Sequence, residues 1–209
     1  LNAAQLAGHS YGELVALYAG GALSFDDLIR ISEARGRTMI ESAEDGLGTM
    51  AAVAGNEAAV KAVLDSIDDA YIANLNSPTQ TVISGTDEGV AAAIEALQQA
   101  GLKARKIPVA CAFHSPLMAP AQDAFRAELE KVEWRSLHTP VVSNATAEPY
   151  PDTPEDCPRI LSEHLTQAVR FADQVRKMHA GGVRTFVEVG PGNVLTGLVA
   201  RTLEGQPHL

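Results

Sequence analysis

The segment AAQLAGHSYGELVALYAGG, residues 3–21, decides the fold of this chain. Its first five residues are short and largely apolar, as in a buried strand, and apolar residues recur at helical spacing from Leu14 until Gly20-Gly21 ends the helix. Between them, residues 8–12 match Gly-x-Ser-x-Gly, the nucleophile elbow, in which a tight turn exposes the serine at a helix N-terminus. Backbone N–H groups there can stabilise an oxyanion. Ser10 is therefore a candidate nucleophile, and a chance pentapeptide is the alternative.

A second helix is predicted from Phe25 to about Ala43, with Ser24 as its N-cap. Residues spaced three and four apart lie on one face of a helix, and here they form one stripe: Leu28, Ile31, Arg35 and Met39. Arg35 thus lies on an apolar stripe, where an unpaired guanidinium would be costly. A structural salt bridge, a snorkelling side chain or the free carboxylate of a substrate would each satisfy it, and the pattern leaves these open.

Residues 48–109 follow a different pattern. Strands are predicted at 49–54, 71–75, 80–84 and 103–109, and helices begin after Asn56 and Thr86. This order, βαββαβ, is typical of the ferredoxin-like arrangement. We therefore predict an inserted subdomain over 48–109 within a main body formed by 1–47 and 110–209.

The main body is predicted to resume with a helix that Ser115 caps and Pro116 begins. A strand at 141–144, helices within 155–180, a strand at 185–189 and a last helix follow. Strands that alternate with helices indicate a mostly parallel sheet, so the fold class is α/β.

A serine nucleophile needs a base. The chain contains six histidines: His9, His114, His138, His164, His179 and His208. His9 adjoins Ser10 but should point away from it, whereas His114 precedes a predicted helix N-terminus, which disfavours the imidazolium. His114 is the candidate base, with a structural histidine as the alternative. No evident Asp or Glu completes a triad, and the long chain after His114 argues against an ordinary lipase or esterase.

Composition excludes several classes of function. The formal net charge of −10 argues against nucleic acid and against an anionic membrane surface. No apolar run is long enough for a transmembrane helix, and no secretory signal is found. Cys111 and Cys157 form neither a metal spacing nor a disulfide framework, which fits the reduced cytoplasm. We expect no metal site.

Eight motifs run in order along nearly the whole chain: GHSYGE at 8–13, Arg35-Gly36, NSPTQ at 76–80, VISG at 82–85, AFHSPLM at 112–118, Ser143-Asn144, VRF at 169–171 and EVGPG at 188–192. In these the chain resembles the malonyl-CoA:acyl carrier protein transacylases and the acyltransferase domains of polyketide and fatty acid synthases. The resemblance implies an α/β-hydrolase-like body with a ferredoxin-like insert. The family also has a long segment before the elbow, with a Gly-Gln-Gly turn that supplies a second oxyanion group; we expect that N-terminal segment to be missing here.

The resemblance also implies roles for the candidate residues. Ser10 would attack the thioester of an acyl-CoA, and His114 would take and return the proton. Arg35 would pair with the malonyl carboxylate, and the Tyr11 N–H would be an oxyanion donor. A main-chain carbonyl near His164, where many members have Gln, would orient the base in place of an acid.

His9 and Phe113 are implied as further substrate-binding residues, since the Ala-Phe-His tripeptide goes with malonyl and the bulk of Phe113 would crowd an α-methyl group. No cofactor is implied, because coenzyme A carries the acyl group and the phosphopantetheine thiol of an acyl carrier protein accepts it. Other domains of a synthase are possible partners. The alternatives are a serine hydrolase or thioesterase, which has no use for an inward Arg35, and an incompetent fragment acting as a docking module. A basic cluster, Lys103, Arg105 and Lys106, is the candidate carrier-protein surface.

Overall fold

The computed structural model of the chain describes residues 2–41, 48–109 and 111–209. Its strands are β1 Leu6–Ala7, β2 Thr49–Ala54, β3 Ala70–Ser77, β4 Gln80–Gly85, β5 Lys103–Ile107 and β6 Val141–Val142. Its α-helices are α1 Gly12–Ala19, α2 Phe25–Glu41, α3 Glu57–Leu64, α4 Asp87–Gln99, α5 Ala119–Leu129, α6 Cys157–Glu163, α7 Phe171–Ala180 and α8 Val194–Thr202.

A short parallel sheet lies under the elbow. β1 pairs with β6 in parallel, Leu6 opposite Val141 and Ala7 opposite Val142. α1 follows β1 after the elbow and packs on α2, and the largest fully buried side chains of this body include Leu17, Ile31 and Phe125. The predicted α/β class is confirmed, and the carboxyl ends of β1 and β6 bring the elbow next to the residues that follow Val142.

A second, antiparallel sheet is built entirely from residues 48–109. Its strand order is β3-β4-β2-β5, and α3 and α4 pack on one face around Val53, Ile83 and Leu97. This is the predicted ferredoxin-like arrangement. The predicted starts of the two helices are also confirmed, and both are capped: Asn56 Oδ1 accepts from Ala59 N at 2.8 Å and Thr86 Oγ1 from Gly89 N at 3.0 Å. That 48–109 is a subdomain set apart from 1–47 and 110–209 stays a prediction.

The edge strand β3 joins this sheet to the main body. Leu75 N donates to Val169 O and Val169 N donates to Ala73 O, both at 2.8 Å. Asn76, one residue further along β3, is thereby held beside the elbow. The link explains why the NSPTQ and VRF motifs, 90 residues apart in sequence, occupy one region of the molecule.

Two predictions for the main body are wrong. Residues 185–189 form no strand: within the described ranges, Arg184 and Phe186 exchange backbone hydrogen bonds with Leu209 alone, and Val187 and Val189 are 65% and 94% exposed. An extended segment becomes a strand only where a neighbour supplies a ladder. Ser115 is not a side-chain cap either, because its hydroxyl donates to Ala112 O at 2.7 Å and a 3₁₀ turn, Pro116–Met118, precedes α5.

Across the described ranges, no helix is both long and apolar enough to cross a membrane.

Candidate active site

The turn that carries Ser10 is as tight as an elbow requires. Ser10 has φ +52°, a left-handed conformation that is strained for a side-chain-bearing residue. A Cβ added to Gly8 would lie 1.9 Å from the carbonyl carbon of Gly12, so only glycine fits at position 8. A Cβ added to Gly12 would meet nothing within 4 Å. Of the two motif glycines, Gly8 is therefore the one that the turn demands.

His114 lies at the position that a base for Ser10 would occupy. Its Nε2 lies 2.7 Å from Ser10 Oγ, and its Nδ1 lies 3.1 Å from the main-chain oxygen of His164. Because a carbonyl only accepts, Nδ1 carries the hydrogen and Nε2 is left to accept the serine proton. Burial, reinforced by the charge of His164, holds the pKa of His114 well below its ordinary value of 6.5. The neutral ring, which is the basic form, therefore prevails at neutral pH.

The carbonyl that orients His114 is the one that the family resemblance implied. His164 ends α6 as its C-cap, so its oxygen lies beyond the helical hydrogen bonds; it accepts from Gln167 N at 3.4 Å and from His114 Nδ1 at 3.1 Å. His114 itself has φ +58°. Nucleophile and base are thus both held in left-handed conformations, which the surrounding contacts must fix.

Arg35 points from α2 to the nucleophile. Its Nη2 lies 3.4 Å from Ser10 Oγ, and burial lowers the pKa of its guanidinium, which remains charged nonetheless. Among the residues that the structure describes, no carboxylate lies within 4.0 Å of this guanidinium. The predicted inward position is confirmed, and no structural salt bridge in the described ranges accounts for the charge.

Tyr11 borders the site with both its backbone N–H and its ring. It is the N-cap of α1, and no acceptor for its N–H is found in the described part of the chain. An anion at Ser10 would therefore meet a free amide at a helix N-terminus. The ring lies 6.0 Å from Arg35 Cζ, and the hydroxyl lies 2.7 Å from Ser32 Oγ. Tyr11 thus lines the side of the site on which Arg35 lies.

His9 and Phe113 lie at the boundary with the antiparallel sheet. His9 Nε2 lies 2.7 Å from Asn76 Oδ1, its ring stands 5.5 Å from that of Phe171, and burial lowers its pKa. The ring therefore faces β3 and not the serine hydroxyl. Phe113 is half-buried and, like Ile107, packs against a small buried cluster that includes Met50. Their roles in binding substrate stay predictions.

Two functional residues were missed at the level of sequence, Glu13 and Asn144. Asn144 Oδ1 accepts from Ser10 N at 2.8 Å, and its Nδ2 donates to Gly8 O at 2.7 Å, so it clamps the elbow from both sides. Glu13 is fully buried and accepts from Asn144 N at 3.0 Å. Both belong to motifs that the sequence displays, GHSYGE and Ser143-Asn144, and a charged residue inside the first helical turn was the available signal.

Glu13 is the charged centre of this arrangement. Its second oxygen lies 2.7 Å from His164 Nδ1, and the Tyr150 hydroxyl donates to the first at 2.9 Å. Burial opposes ionisation, but the charge of His164 and these hydrogen bonds outweigh it and lower the pKa of Glu13 below its ordinary value.

Within the described ranges, no group of three or more His, Cys, Asp or Glu residues is placed to hold a metal ion.

Comparison with known proteins places the chain in context. The family described as "Acyl transferase domain" matches residues 1–208. The malonyl CoA-acyl carrier protein transacylase of Bacillus subtilis is 43% identical over 202 residues, which are 93% of this chain and 63% of that protein. A phenolphthiocerol synthesis polyketide synthase type I of Mycobacterium marinum is 41% identical over 94% of this chain and 9% of that protein.

Solved structures of related proteins resemble this chain in fold. The structure of the malonyl CoA-acyl carrier protein transacylase from Coxiella burnetii superposes on the whole chain with a TM-score of 0.94 at 34% identity, and 67% of that protein is covered. The chain thus spans about two thirds or less of the length of these relatives.

Proposed function

Since the chain belongs to the acyl transferase domain family, we propose that it moves a malonyl group from coenzyme A, through an ester on Ser10, to the phosphopantetheine thiol of an acyl carrier protein. The observation that carries the proposal is the Arg35 guanidinium, 3.4 Å from Ser10 Oγ and without a carboxylate within 4.0 Å among the described residues. A serine and a histidine suffice for acyl transfer, whereas a partly buried cation beside them calls for an acyl group that brings its own carboxylate.

The first half-reaction forms the acyl-enzyme. Ser10 Oγ attacks the thioester carbon while its proton passes to His114 Nε2, 2.7 Å away. The oxyanion lies against the Tyr11 N–H. When the tetrahedral intermediate collapses, the C–S bond breaks and the proton on His114 goes to the departing sulfur, so that coenzyme A leaves as the thiol.

The second half-reaction reverses these steps with a different thiol. His114 takes the proton of the phosphopantetheine thiol, the sulfur attacks the ester carbon, and the C–O bond to Ser10 breaks. The serine oxygen recovers the proton from His114, so the enzyme ends as it began. No cofactor takes part, because coenzyme A is a substrate and the only group transferred besides the proton is the acyl group.

Malonyl is the preferred acyl group for two reasons. Arg35 offers the planar fork that matches a carboxylate. Phe113, beside His114, would crowd an α-methyl branch, and its packing against the buried cluster that includes Met50 restrains it from moving aside.

A cationic surface beside the site suits the carrier protein, which in this family is usually acidic. Lys103 and Arg105 of β5 and Arg201 of α8 line a cavity of about 430 Å³ with Gln80. In the described part of the chain, no acidic side chain lies within 4.0 Å of these three cations. Lys106 does not belong to this surface, although the sequence suggested it.

The register of β5 explains the difference. Arg105 stands opposite Ala52 and Lys103 opposite Ala54, so both side chains share the face that packs near Phe113 at Met50 and Ile107. Lys106 stands opposite the buried Ala51, on the helix-covered face, and pairs with Asp87 at 2.7 Å. We therefore propose Lys103, Arg105 and Arg201 as the carrier-protein docking surface.

We also propose that the protein works in the cytoplasm. Both cysteines, Cys111 and Cys157, are free and buried, which suits a compartment that keeps thiols reduced. An acceptor thiol must also stay reduced to be acylated.

Intact mass measurement after mixing with malonyl-CoA tests the proposed function. We expect a malonyl adduct on the protein that is absent from Ser10→Ala and is discharged by holo acyl carrier protein faster than by water. An adduct that forms equally well from acetyl-CoA and is discharged by water would instead favour a serine hydrolase or thioesterase. Absence of any adduct on the protein with Ser10 intact would favour a non-catalytic docking module.

A further inference from the structure

A buried pair of ionisable side chains lies behind the base, on the side away from the nucleophile. Glu13 is 0% and His164 3% exposed, and their side chains meet at 2.7 Å between Oε2 and Nδ1. Glu13 Oε1 is occupied by Asn144 N and by the Tyr150 hydroxyl. A buried pair of this kind is costly to assemble and is weak evidence of stability by itself. Its position relative to His114 suggests what it contributes.

The pair closes a ring of contacts that starts and ends at the nucleophile. Ser10 N donates to Asn144 Oδ1 at 2.8 Å, and Asn144 N donates to Glu13 Oε1 at 3.0 Å. Glu13 Oε2 meets His164 Nδ1, and the His164 carbonyl accepts from His114 Nδ1 at 3.1 Å. His114 Nε2 then returns to Ser10 Oγ at 2.7 Å. Five residues from distant parts of the chain thus fix one another, and Glu13 is the link farthest from the reacting atoms.

His164 touches the base in two ways. Its carbonyl holds His114 Nδ1, and its ring lies 4.8 Å from the His114 ring at 30° between the planes. Because the same residue supplies both contacts, a contact that fixes the His164 ring also fixes the position of its carbonyl. Glu13 makes that contact, and it lies on α1 three residues after Ser10. The helix that presents the nucleophile therefore also positions the base.

We propose that Glu13 and His164 are positioning residues for the transfer: through their buried contact, Glu13 aligns His114 with Ser10 and sets the pH range in which His114 works. The inference rests on the proposed function, since it concerns the rate of acylation at Ser10. Neither residue touches the acyl group.

The charges around His114 define the expected pH effect. The ionisable groups that face it are His9 of the elbow, Arg35 of α2 and His164, with Glu13 behind His164. Burial is the main cause that lowers the pKa of His114, and the charge of His164 is the next. An uncharged side chain at 164 removes that second cause, so the pKa of His114 should rise and the base should be lost at a higher pH.

The test compares Glu13→Gln, His164→Gln and the double variant by the rate of malonyl adduct formation on Ser10, followed by rapid quench and intact mass from about pH 5 to pH 8. We expect Glu13→Gln to slow the maximal rate by roughly 10- to 100-fold with little change in KM for malonyl-CoA, as loss of a charge-assisted contact implies. We expect His164→Gln, which keeps its carbonyl and an amide that can donate to Glu13, to move the acidic limb of the profile to higher pH. The double variant should be no slower than the slower single one, because both changes act on the same contact.

Thr81→Val is the control for a purely structural loss. Thr81 is fully buried in β4 and its hydroxyl donates to Gly55 O at 2.9 Å, so the variant loses a buried hydrogen bond far from the ring. It should lower the melting temperature and leave the acylation profile unchanged. If Glu13→Gln fails to fold, the profile of His164→Gln decides alone.

An unchanged profile in His164→Gln, or a folded Glu13→Gln with the original rate, would overturn the inference. So would additive losses in the double variant. The unsubstituted protein distinguishes failure of the positioning role from failure of the proposed function. If the unsubstituted protein forms no malonyl adduct, the proposed function is wrong. If it forms the adduct and the variants do so at the same rate, only the positioning role is wrong.

Discussion

Arg35 decides between transfer of a carboxylated acyl group and general ester chemistry. Its guanidinium lies within reach of Ser10 Oγ, on the wall that Tyr11 also lines. A charge-assisted hydrogen bond contributes about 1.5–3 kcal/mol. We therefore expect Arg35→Ala to lower kcat/KM for malonyl-CoA by roughly 10- to 150-fold. Transfer of an acetyl group, which carries no carboxylate, should be spared or improved.

Arg37→Ala is the matched control on the same helix. Arg37 is exposed and binds Glu33 at 3.0 Å, so its loss should change neither substrate. Steady-state kinetics with malonyl-CoA and acetyl-CoA measure the comparison. An equal loss of kcat/KM for malonyl-CoA and acetyl-CoA in Arg35→Ala would mean that Arg35 does not bind the carboxylate, and it would favour the hydrolase alternative.

The site residues differ in how far the sequence could predict them. Ser10 and Arg35 follow from local patterns, an elbow and a helical stripe. The His164 carbonyl was implied by family resemblance alone, since a backbone oxygen leaves no trace in side-chain chemistry. Glu13 and Asn144 lie in motifs that the sequence displays, but their contacts could not be predicted from local patterns, because their partners lie 131 and 134 residues away in sequence. Only the pairing of β1 with β6 brings them together.

The elbow is the element whose local geometry can be tested most directly. Gly8→Ala would place a Cβ 1.9 Å from the Gly12 carbonyl carbon, a backbone atom that cannot move aside without opening the turn. We expect a loss of about 3 kcal/mol in the free energy of unfolding, together with loss of acylation. Gly12→Ala meets nothing within 4 Å and lies in the first turn of α1, so it should gain up to about 1 kcal/mol.

Urea denaturation of the two variants measures this difference. The motif by itself treats both glycines alike, and equal destabilisation would mean that the turn does not have the closure described. The comparison therefore tests the geometry of the elbow separately from its chemistry.

Elements with local signals were predicted well, and elements that depend on a partner were not. α3 and α4 begin where Asn56 and Thr86 provide side-chain caps, because a cap is a contact within three residues. The strand predicted at 185–189 has the right composition, yet Leu209 is its only backbone partner among the described residues. Composition records a preference for extended backbone, whereas a ladder requires a second strand.

At the scale of the whole molecule, the distribution of charge matters more than its sum. The chain has a formal net charge of −10, which would repel an acidic carrier protein over most of its surface. Lys103, Arg105 and Arg201 form a local exception around a cavity of about 430 Å³. Four residue steps along β5 separate Lys103 from Ile107, which packs on the same buried cluster as Phe113, so Lys103 lies roughly 13 Å from that wall of the active site. A docking surface has to stand beside the catalytic centre, since the phosphopantetheine arm must reach from one to the other.

This arrangement predicts that the two half-reactions respond differently to the loss of these charges. We expect the double variant Arg105→Ala/Arg201→Ala to raise KM for holo acyl carrier protein about 5- to 50-fold at low ionic strength, because rim charges act mainly on encounter. The effect should shrink as salt screens the field. The rate at which malonyl-CoA forms the adduct on Ser10 should not change.

Lys106→Ala, on the opposite face and paired with Asp87, should leave both half-reactions as they are. Should KM for malonyl-CoA rise instead while the carrier protein is unaffected, the cavity would be a site for the phosphates of coenzyme A, and the carrier protein would have to dock elsewhere.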